Sequence, residues 1–356
     1  MQYLIESQLI LEYTLHRTCV GGNKGIQKDL DDLIDTTGKK MTVCQLYAKQ
    51  IRHRGNVRYN TKNGRKRLMK LLEEDKLGGC PIDSVKLSDA KEWAIRMKEK
   101  GISYKTISND KRSLKAAFYT AIQDDCIRKN PFDFQLNTVI EDDTEPKVPL
   151  TPAQEESFLS FAQNDKVYQK YYDELIILLG TGLRISELCG LTDTDIDFEN
   201  RIINVDHQLL RSAETGYYIE TPKTKSGIRQ IPMSEKVYEA FNRVLKRRRG
   251  AKAVTIDGYS NFLFLNRDGY PKTATNYDGM FRGLAKKYNK YHEEALPKVM
   301  TPHTLRHTFC TTLANAGMNP KALQYIMGHS NINMTLNYYA HTTSETSITE
   351  MKRLIA

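Results

Sequence analysis

The spacing of apolar positions changes partway along this chain. Between residues 41 and 140 it is helical throughout. Ile107, Leu114, Phe118, Ala121 and Ile122 fall on one helical face. That helix must stop before Asn130-Pro131, because a proline pushes the preceding residue out of the helical region. Leu68, Leu71 and Leu72 form a stripe opposite the basic residues of 62–70. The pattern predicts a bundle of about four helices, apolar inside and basic outside, over 41–141.

Residues 142–150 are acidic and carry two prolines, which is linker composition. Thr151-Pro152-Ala-Gln154 then opens a new domain, with an N-cap, a proline at the first helical position and a capping-box glutamine. Beyond it, helices mix with a short β region. Ile202 to Val205 reads as a strand, and Gly216 to Thr221 and Arg229 to Met233 read as two more, joined by a turn at Lys223-Thr-Lys-Ser-Gly227. Ser234 caps a helix ending at Arg247-Arg-Arg-Gly250, Pro302 to Ala316 forms another, Asn319-Pro320 opens the next, and a last helix carries a tyrosine pair. The fold class expected is multidomain, α and α+β: a helical domain, then a mainly helical domain over 151–341 with a small antiparallel sheet. Residues 1–40 are weakly patterned and acidic after Gly21-Gly22, a poorly determined lead-in. Residues 342–356 form a tail with Ile348, Met351, Leu354 and Ile355 at helical spacing.

Composition narrows the class. The chain has 356 residues, 40% of them apolar and 27% charged, enough for two domains and a sizeable core. It contains no 18-residue apolar run and no signal-like start, so neither a membrane span nor secretion is expected. Six scattered cysteines, with no Cys-x-x-Cys pair, fit a reducing cytoplasm better than a disulfide scaffold or a zinc site. Net charge is +10, and residues 41–140 supply all of it, with 21 Lys+Arg against 11 Asp+Glu. Within 41–72 there are nine basic residues and no acidic one. A solvated helical face is the bland alternative. An acid-free run this long points instead to a polyanion surface, with Lys49, Arg52, Arg54, Arg58, Lys62, Arg65 and Lys66 as phosphate contacts.

The chemistry gathers near the end of the chain. His303-Thr-Leu-Arg306-His307, Gly328-His329 and Asn337-Tyr338-Tyr339-Ala340-His341 follow an upstream Thr181-Gly-Leu-Arg184-Ile-Ser-Glu-Leu188. Cleaving a phosphodiester without a metal needs fixed cations on the non-bridging oxygens, a nucleophile, and an acid for the departing oxygen. Arginine suits the first role, because its planar fork grips two oxygens and stays charged. Taken singly, each residue has a duller reading. Arg184 could be a surface ion pair oriented by Glu187, and His329 a histidine on a helix C-terminus. His307 reads as a satisfied core histidine, because it points away from the face shared by His303 and Arg306. His303 and His307 have the spacing of a metal pair, but Thr304 stands where a zinc peptidase has its glutamate, so no metal is expected.

Together, these four separated motifs resemble the tyrosine recombinase (phage integrase) family across 41–356, and among its members the integrases of conjugative transposons. The resemblance implies a site-specific recombinase that cuts one strand at a time, leaves a 3′-phosphotyrosine, and passes the strand to a partner duplex through a Holliday junction. Its work would be excision and integration of a mobile element. Neither metal nor other cofactor is implied, and no Walker motif is present, since Leu33 stands where a phosphate loop needs its first glycine. Residue by residue, the resemblance assigns Arg184 and Arg306 to the phosphate clamp and His303 and His329 to proton transfer or phosphate binding. The leaving-group acid falls on Lys223, with Lys225 as rival. Counting nine residues from His329 gives Tyr338 as nucleophile, whereas the Tyr-x-His pattern ending at His341 gives Tyr339; the segment Met334-Thr-Leu-Asn337 favours Tyr339.

The partners implied are double-stranded DNA at the element ends and target, further copies of the chain in a tetramer on paired sites, and an accessory excision factor. The setting implied is the nucleoid of a bacterial cytoplasm. The two domains would close on the duplex as a C-shaped clamp, and the tail from 342 would pack on a neighbouring subunit. Residues 1–40 are too short and acidic to be the arm-binding domain that such integrases often carry. Competing readings are a type IB topoisomerase and a non-catalytic helix-turn-helix regulator. One prediction concerns the basic run. Neutralising Arg54, Arg58, Lys62 and Arg65 together is expected to weaken binding to all DNA sequences alike. The slope of log K against log salt then shrinks by up to ~0.9 for each DNA phosphate no longer neutralised. A weakening confined to particular sequences, at unchanged slope, would mean that these side chains read bases.

Overall fold

The computed structural model describes residues 40–55, 57–145, 148–248 and 254–339, together with 351, 352 and 355. The lead-in 1–39, Arg249-Gly250, His341 and most of the tail lie outside the described residues. The chain divides into two compact units after Glu145.

The first unit holds helices α1 (Val43–His53), α2 (Tyr59–Glu73), α3 (Leu87–Glu99) and α4 (Tyr104–Gln123). Thr42 starts α1 with a reciprocal capping box: its hydroxyl accepts from the Gln45 backbone, and the Gln45 side chain accepts from the Thr42 backbone. The apolar stripes close on Trp93, which is fully buried and meets Phe132 edge-on at 5.7 Å, with Phe118 on the other side of Phe132 at 5.3 Å. Leu68 and Leu72 are buried as the stripe predicts, and the basic residues of α2 lie away from them.

The second unit is built around α6 (Tyr172–Thr181). Apart from its first turn this helix is apolar on every side, and it is buried between α8 (Glu235–Arg248) and α10 (Pro302–Asn315). Helices α5 (Pro152–Asn164), α7 (Ile185–Gly190), α9 (Ala274–Tyr291), α11 (Pro320–Met327) and α12 (Asn333–Leu336) pack around it. Helix α6 ends at Gly182 with φ 62°; a Cβ there would also lie 2.4 Å from the Phe309 ring, so the position is closed to other residues.

The β region differs from expectation. Strands β1 (Ile196–Asp197), β2 (Ile202–Val205) and β5 (Arg229–Pro232) form one antiparallel sheet, and β3 (Gln208–Ser212) and β4 (Gly216–Glu220) form a second. The expected hairpin between Gly216–Thr221 and Arg229–Met233 does not exist. Strand β4 turns back on β3 at Gly216, whose φ is 71°, while β5 pairs with β2, Ile231 facing Ile203. Burial decides the pairing. β2 and β5 each bury alternate residues and belong on one core, whereas β4 is half-buried along its length. The lysine-bearing segment is therefore a crossover between sheets. The tyrosine pair also departs from expectation. Helix α12 is a single turn, and Tyr338 and Tyr339 follow it in tighter turns, their amides bonded to Thr335 and Leu336. Among the described residues no helix is long and apolar enough to cross a membrane.

Phe132→Ala is expected to destabilise the first unit by about 3–5 kcal/mol, the usual cost of removing a buried aromatic ring. Trp93 is the only tryptophan of the chain, so its fluorescence during urea unfolding reports this unit directly. A loss below ~1 kcal/mol would mean that the Trp93–Phe132 contact does not hold the bundle together.

Candidate active site

Helix α11 stops where Gly328 takes a left-handed backbone at φ 60°, leaving the carbonyls of its last turn without helical partners. Three arginines use them. Arg229 Nε donates to the Ile326 carbonyl at 2.6 Å, Arg306 Nη2 donates to Met327, and Arg184 Nη2 donates to Gly328 at 3.0 Å. Consecutive carbonyls thus each hold one guanidinium, at the helix end where the dipole is negative.

Local structure delivers each side chain. Arg184 is the N-cap of α7, two residues after the left-handed Gly182, and its side chain stays 31% exposed. Glu187, one turn on, accepts from the Arg184 backbone at 2.8 Å and from its Nη1 at 2.7 Å. Arg306 lies buried in the second turn of α10 and also donates to the Gly182 carbonyl. Arg229 opens β5, and its side chain is fully buried, forked on the same Glu187 at 2.8 and 3.1 Å. The sequence reading missed Arg229. A signal was available: it stands in phase with Ile231 and Met233, a charged residue on the buried face of a strand.

Two guanidiniums share the Glu187 carboxylate, and the charge of a third, Arg306, reaches it. Burial pushes Glu187 up, but the hydrogen bond and charge of Arg229, then the charges of Arg184 and Arg306, hold it at about 2. Arg306 is lowered to about 9, first by burial and then by the like charge of Arg184. His329 is lowered to about 4 by burial and by all three arginines, so it is neutral at physiological pH. Its Nδ1 lies 3.0 Å from the hydroxyl of the fully buried Thr335. The pocket therefore carries excess positive charge that an anion would relieve.

The two tyrosines separate. The Tyr338 ring stacks at 6.5 Å from His329 and tilts at 4.8 Å from His307, and the charge of Arg306 reaches it. The Tyr339 hydroxyl donates to the Met318 carbonyl. The geometry thus sets Tyr338, rather than the Tyr339 favoured from the sequence pattern, against His307 and His329 and within reach of the Arg306 charge. For Tyr338 burial and then Cys310 push the phenol up while Arg306 pulls it down; for Tyr339 burial and then Cys310 push it up. His303 is exposed on the first turn of α10, one turn before Arg306. His307 is not a core histidine: it is half-buried against Tyr338 and within 3.5 Å of the Thr311 hydroxyl. Lys223 and Lys225 are both exposed on the crossover.

In the first unit Arg52, Arg54 and Lys66 are exposed, and Lys49, Arg58, Lys62 and Arg65 are half-buried. The run is less uniformly unpaired than its sequence suggests, because α4 supplies acids from elsewhere in the chain. Asp124, which caps its C-terminal end, pairs with Lys49 at 2.9 Å, and the buried Asp110 with Arg67 at 2.5 Å. The Gln50 carbonyl oxygen accepts from Arg54 Nε at 2.8 Å.

Comparison with known proteins bears on the family. The sequence profile of the phage integrase family matches residues 149–346. The transposase of transposon Tn916 from Enterococcus faecalis is 67% identical over 329 residues, 92% of this chain and 81% of that protein. The Tn1549 transposon integrase, solved with a circular intermediate DNA and bearing an arginine-to-lysine change, superposes with a TM-score of 0.85 at 77% identity over 88% of this chain and 99% of that one. A second form, with a tyrosine-to-phenylalanine change and transposon right end DNA, gives 0.84 at 76% identity over 89% and 100%.

The lowered His329 ties stability to pH. Between its ordinary value of 6.5 and its folded value of about 4, the unfolded chain binds the proton that the folded chain refuses. Stability therefore falls as pH drops through that window, and Glu187 adds a further loss from 4.5 towards 2. Thermal unfolding between pH 7 and 4 is expected to show this decline, and His329→Gln a shallower one. Equal slopes would remove His329 as the source.

Proposed function

Because the chain belongs to the phage integrase family and is a tyrosine-type site-specific DNA recombinase, we propose that it excises and integrates a mobile element through a 3′-phosphotyrosine intermediate and a Holliday junction. The observation that carries this reading is the cluster of three guanidiniums on three successive carbonyls, two of them also on Glu187, with a phenol that the Arg306 charge reaches. It is an anion site with a nucleophile beside it. The Tn1549 relatives are bound to circular-intermediate and transposon-end DNA, which supports double-stranded DNA as the substrate.

In the proposed step Arg184 and Arg306 hold the non-bridging oxygens, and their charge offsets the charge that grows there. The neutral His329 imidazole donates a hydrogen bond to the same phosphate. The phenolic oxygen of Tyr338 attacks phosphorus and its proton passes to His303. As the O–P bond forms, the bond to the 5′ oxygen breaks, and that oxygen takes a proton from Lys223 or Lys225. The bond energy stays in the phosphotyrosine, so a 5′-hydroxyl of the partner strand reverses the step without a cofactor. Two observations support Tyr338 over Tyr339: its contact with both histidines, and a spacing. The arginine and tyrosine changed in the two solved Tn1549 forms stand 154 positions apart in that protein, as Arg184 and Tyr338 do here.

The same reading assigns 41–141 to the basic face of a clamp, joined by 142–150 to the strand-transfer domain, 151–341, and the apolar tail from 342 to a neighbouring copy. Four copies on paired sites, an accessory excision factor and a cytoplasmic setting complete it. The test is a nicked suicide duplex carrying the element's own core site. Tyr338→Phe is expected to abolish the covalent adduct with DNA binding nearly unchanged, and Tyr339→Phe to keep adduct formation. The reverse pattern would return the role to Tyr339, and adduct in neither wild type nor variant would end the strand-transfer reading.

A further inference from the structure

We propose that Arg229 is a positioning residue for the leaving-group acid, fastening the lysine-bearing crossover to the floor of the active site. The inference rests on the strand-transfer reading above. Arg229 donates from Nη1 to the Gly227 carbonyl at 3.1 Å, from Nε to the Ile326 carbonyl at 2.6 Å, and from both terminal nitrogens to Glu187. One guanidinium thus joins three pieces: the end of the crossover that carries Lys223 and Lys225, the C-terminal turn of α11 that leads into His329, and the carboxylate that orients Arg184. It touches neither nucleophile nor clamp position directly, and it is too deeply buried to meet DNA.

The crossover runs between two sheets without joining either, and a single 3₁₀ turn over Lys225–Gly227 shapes it. Its docking is nonetheless close. A Cβ on Gly328 would lie 3.0 Å from the Ser226 carbonyl and 3.1 Å from Arg229 Nη1. On its other side Gly227 packs so tightly on Pro222 that a Cβ would come within 2.3 Å. Only a planar fork with several donors can hold a carbonyl on each of two segments and a carboxylate at once. Lysine at this position would keep the charge and lose the geometry.

The leaving group provides the test. When a 5′ oxygen departs it needs a proton; when sulfur replaces that bridging oxygen, the P–S bond breaks to a thiolate that needs none. The full-length protein is assayed for adduct on suicide duplexes with oxygen or sulfur at that position. Misplacing the acid is expected to slow Arg229→Lys by ~10²-fold on oxygen and to leave it at the wild-type rate on sulfur. Lys223→Ala or Lys225→Ala, whichever removes the acid, gives the same pattern, while Arg184→Lys stays slow on both. Arg229→Lys slow on both substrates overturns the proposal, because the brace then acts through Glu187 or the fold alone. If Arg229→Lys does not fold, Gly227→Ala decides. Its methyl displaces the crossover from Pro222 and leaves Arg229 on Glu187, so selective rescue by sulfur supports the proposal and wild-type cleavage of oxygen overturns it. A wild-type protein that forms adduct on neither substrate overturns the underlying reading and the inference with it.

Discussion

Three guanidiniums held by three successive carbonyls, Ile326, Met327 and Gly328, are what the rest of the site depends on. Like charges do not gather unless something holds them. Here the negative end of α11 and the carboxylate of Glu187 do so. The arrangement needs a helix that ends abruptly, and the left-handed Gly328 ends it. It needs α6 to end as abruptly, so that Gly182 can offer a carbonyl to Arg306 and Arg184 can cap α7. The apolar core around α6 therefore has a second task beyond stability: it fixes two helix ends at a separation that three arginines can bridge.

The same crowding sets the chemistry. Burial lowers Arg306 and His329 first, and the like charge of the neighbouring arginines, which one carboxylate does not balance, lowers both further. A neutral His329 can donate a hydrogen bond without adding charge. The arginines are gathered by the protein's own groups, so in the proposed step little reorganisation would be left. Glu187 is the counterweight. It carries the fork of Arg229 on one side and the backbone and side chain of Arg184 on the other, which couples an interior residue to a partly exposed one.

The strand-transfer motifs were legible because chain order preserves them. His303, Arg306 and His329 recur at spacings that a helix and a helix end impose. The helical first unit was legible for a similar reason, since its stripes close on Trp93 and Phe132 within about a hundred residues. The β region was not. Whether Gly216–Thr221 pairs with Arg229–Met233 or with an earlier segment depends on which face each strand buries, and Gln208–Ser212 carries little to mark it as a strand. Arg229 escaped notice because a single arginine beside a lysine-rich turn looks like surface.

By itself the sequence determined the helical character of both units, through local periodicity, and the family, through four ordered motifs that resemble the phage integrases. Tertiary structure decided which tyrosine meets His307 and His329. Adjacent residues differ in direction, not in composition, and only the turn after Leu336 sends Tyr338 to the histidines and Tyr339 to the Met318 carbonyl. It also decided that Arg184 and Arg229 share the Glu187 carboxylate, and it set Arg306, more than a hundred residues on in the chain, close enough for its charge to act on Glu187. Pairing over such distances is a property of the packed core, and no local pattern encodes it.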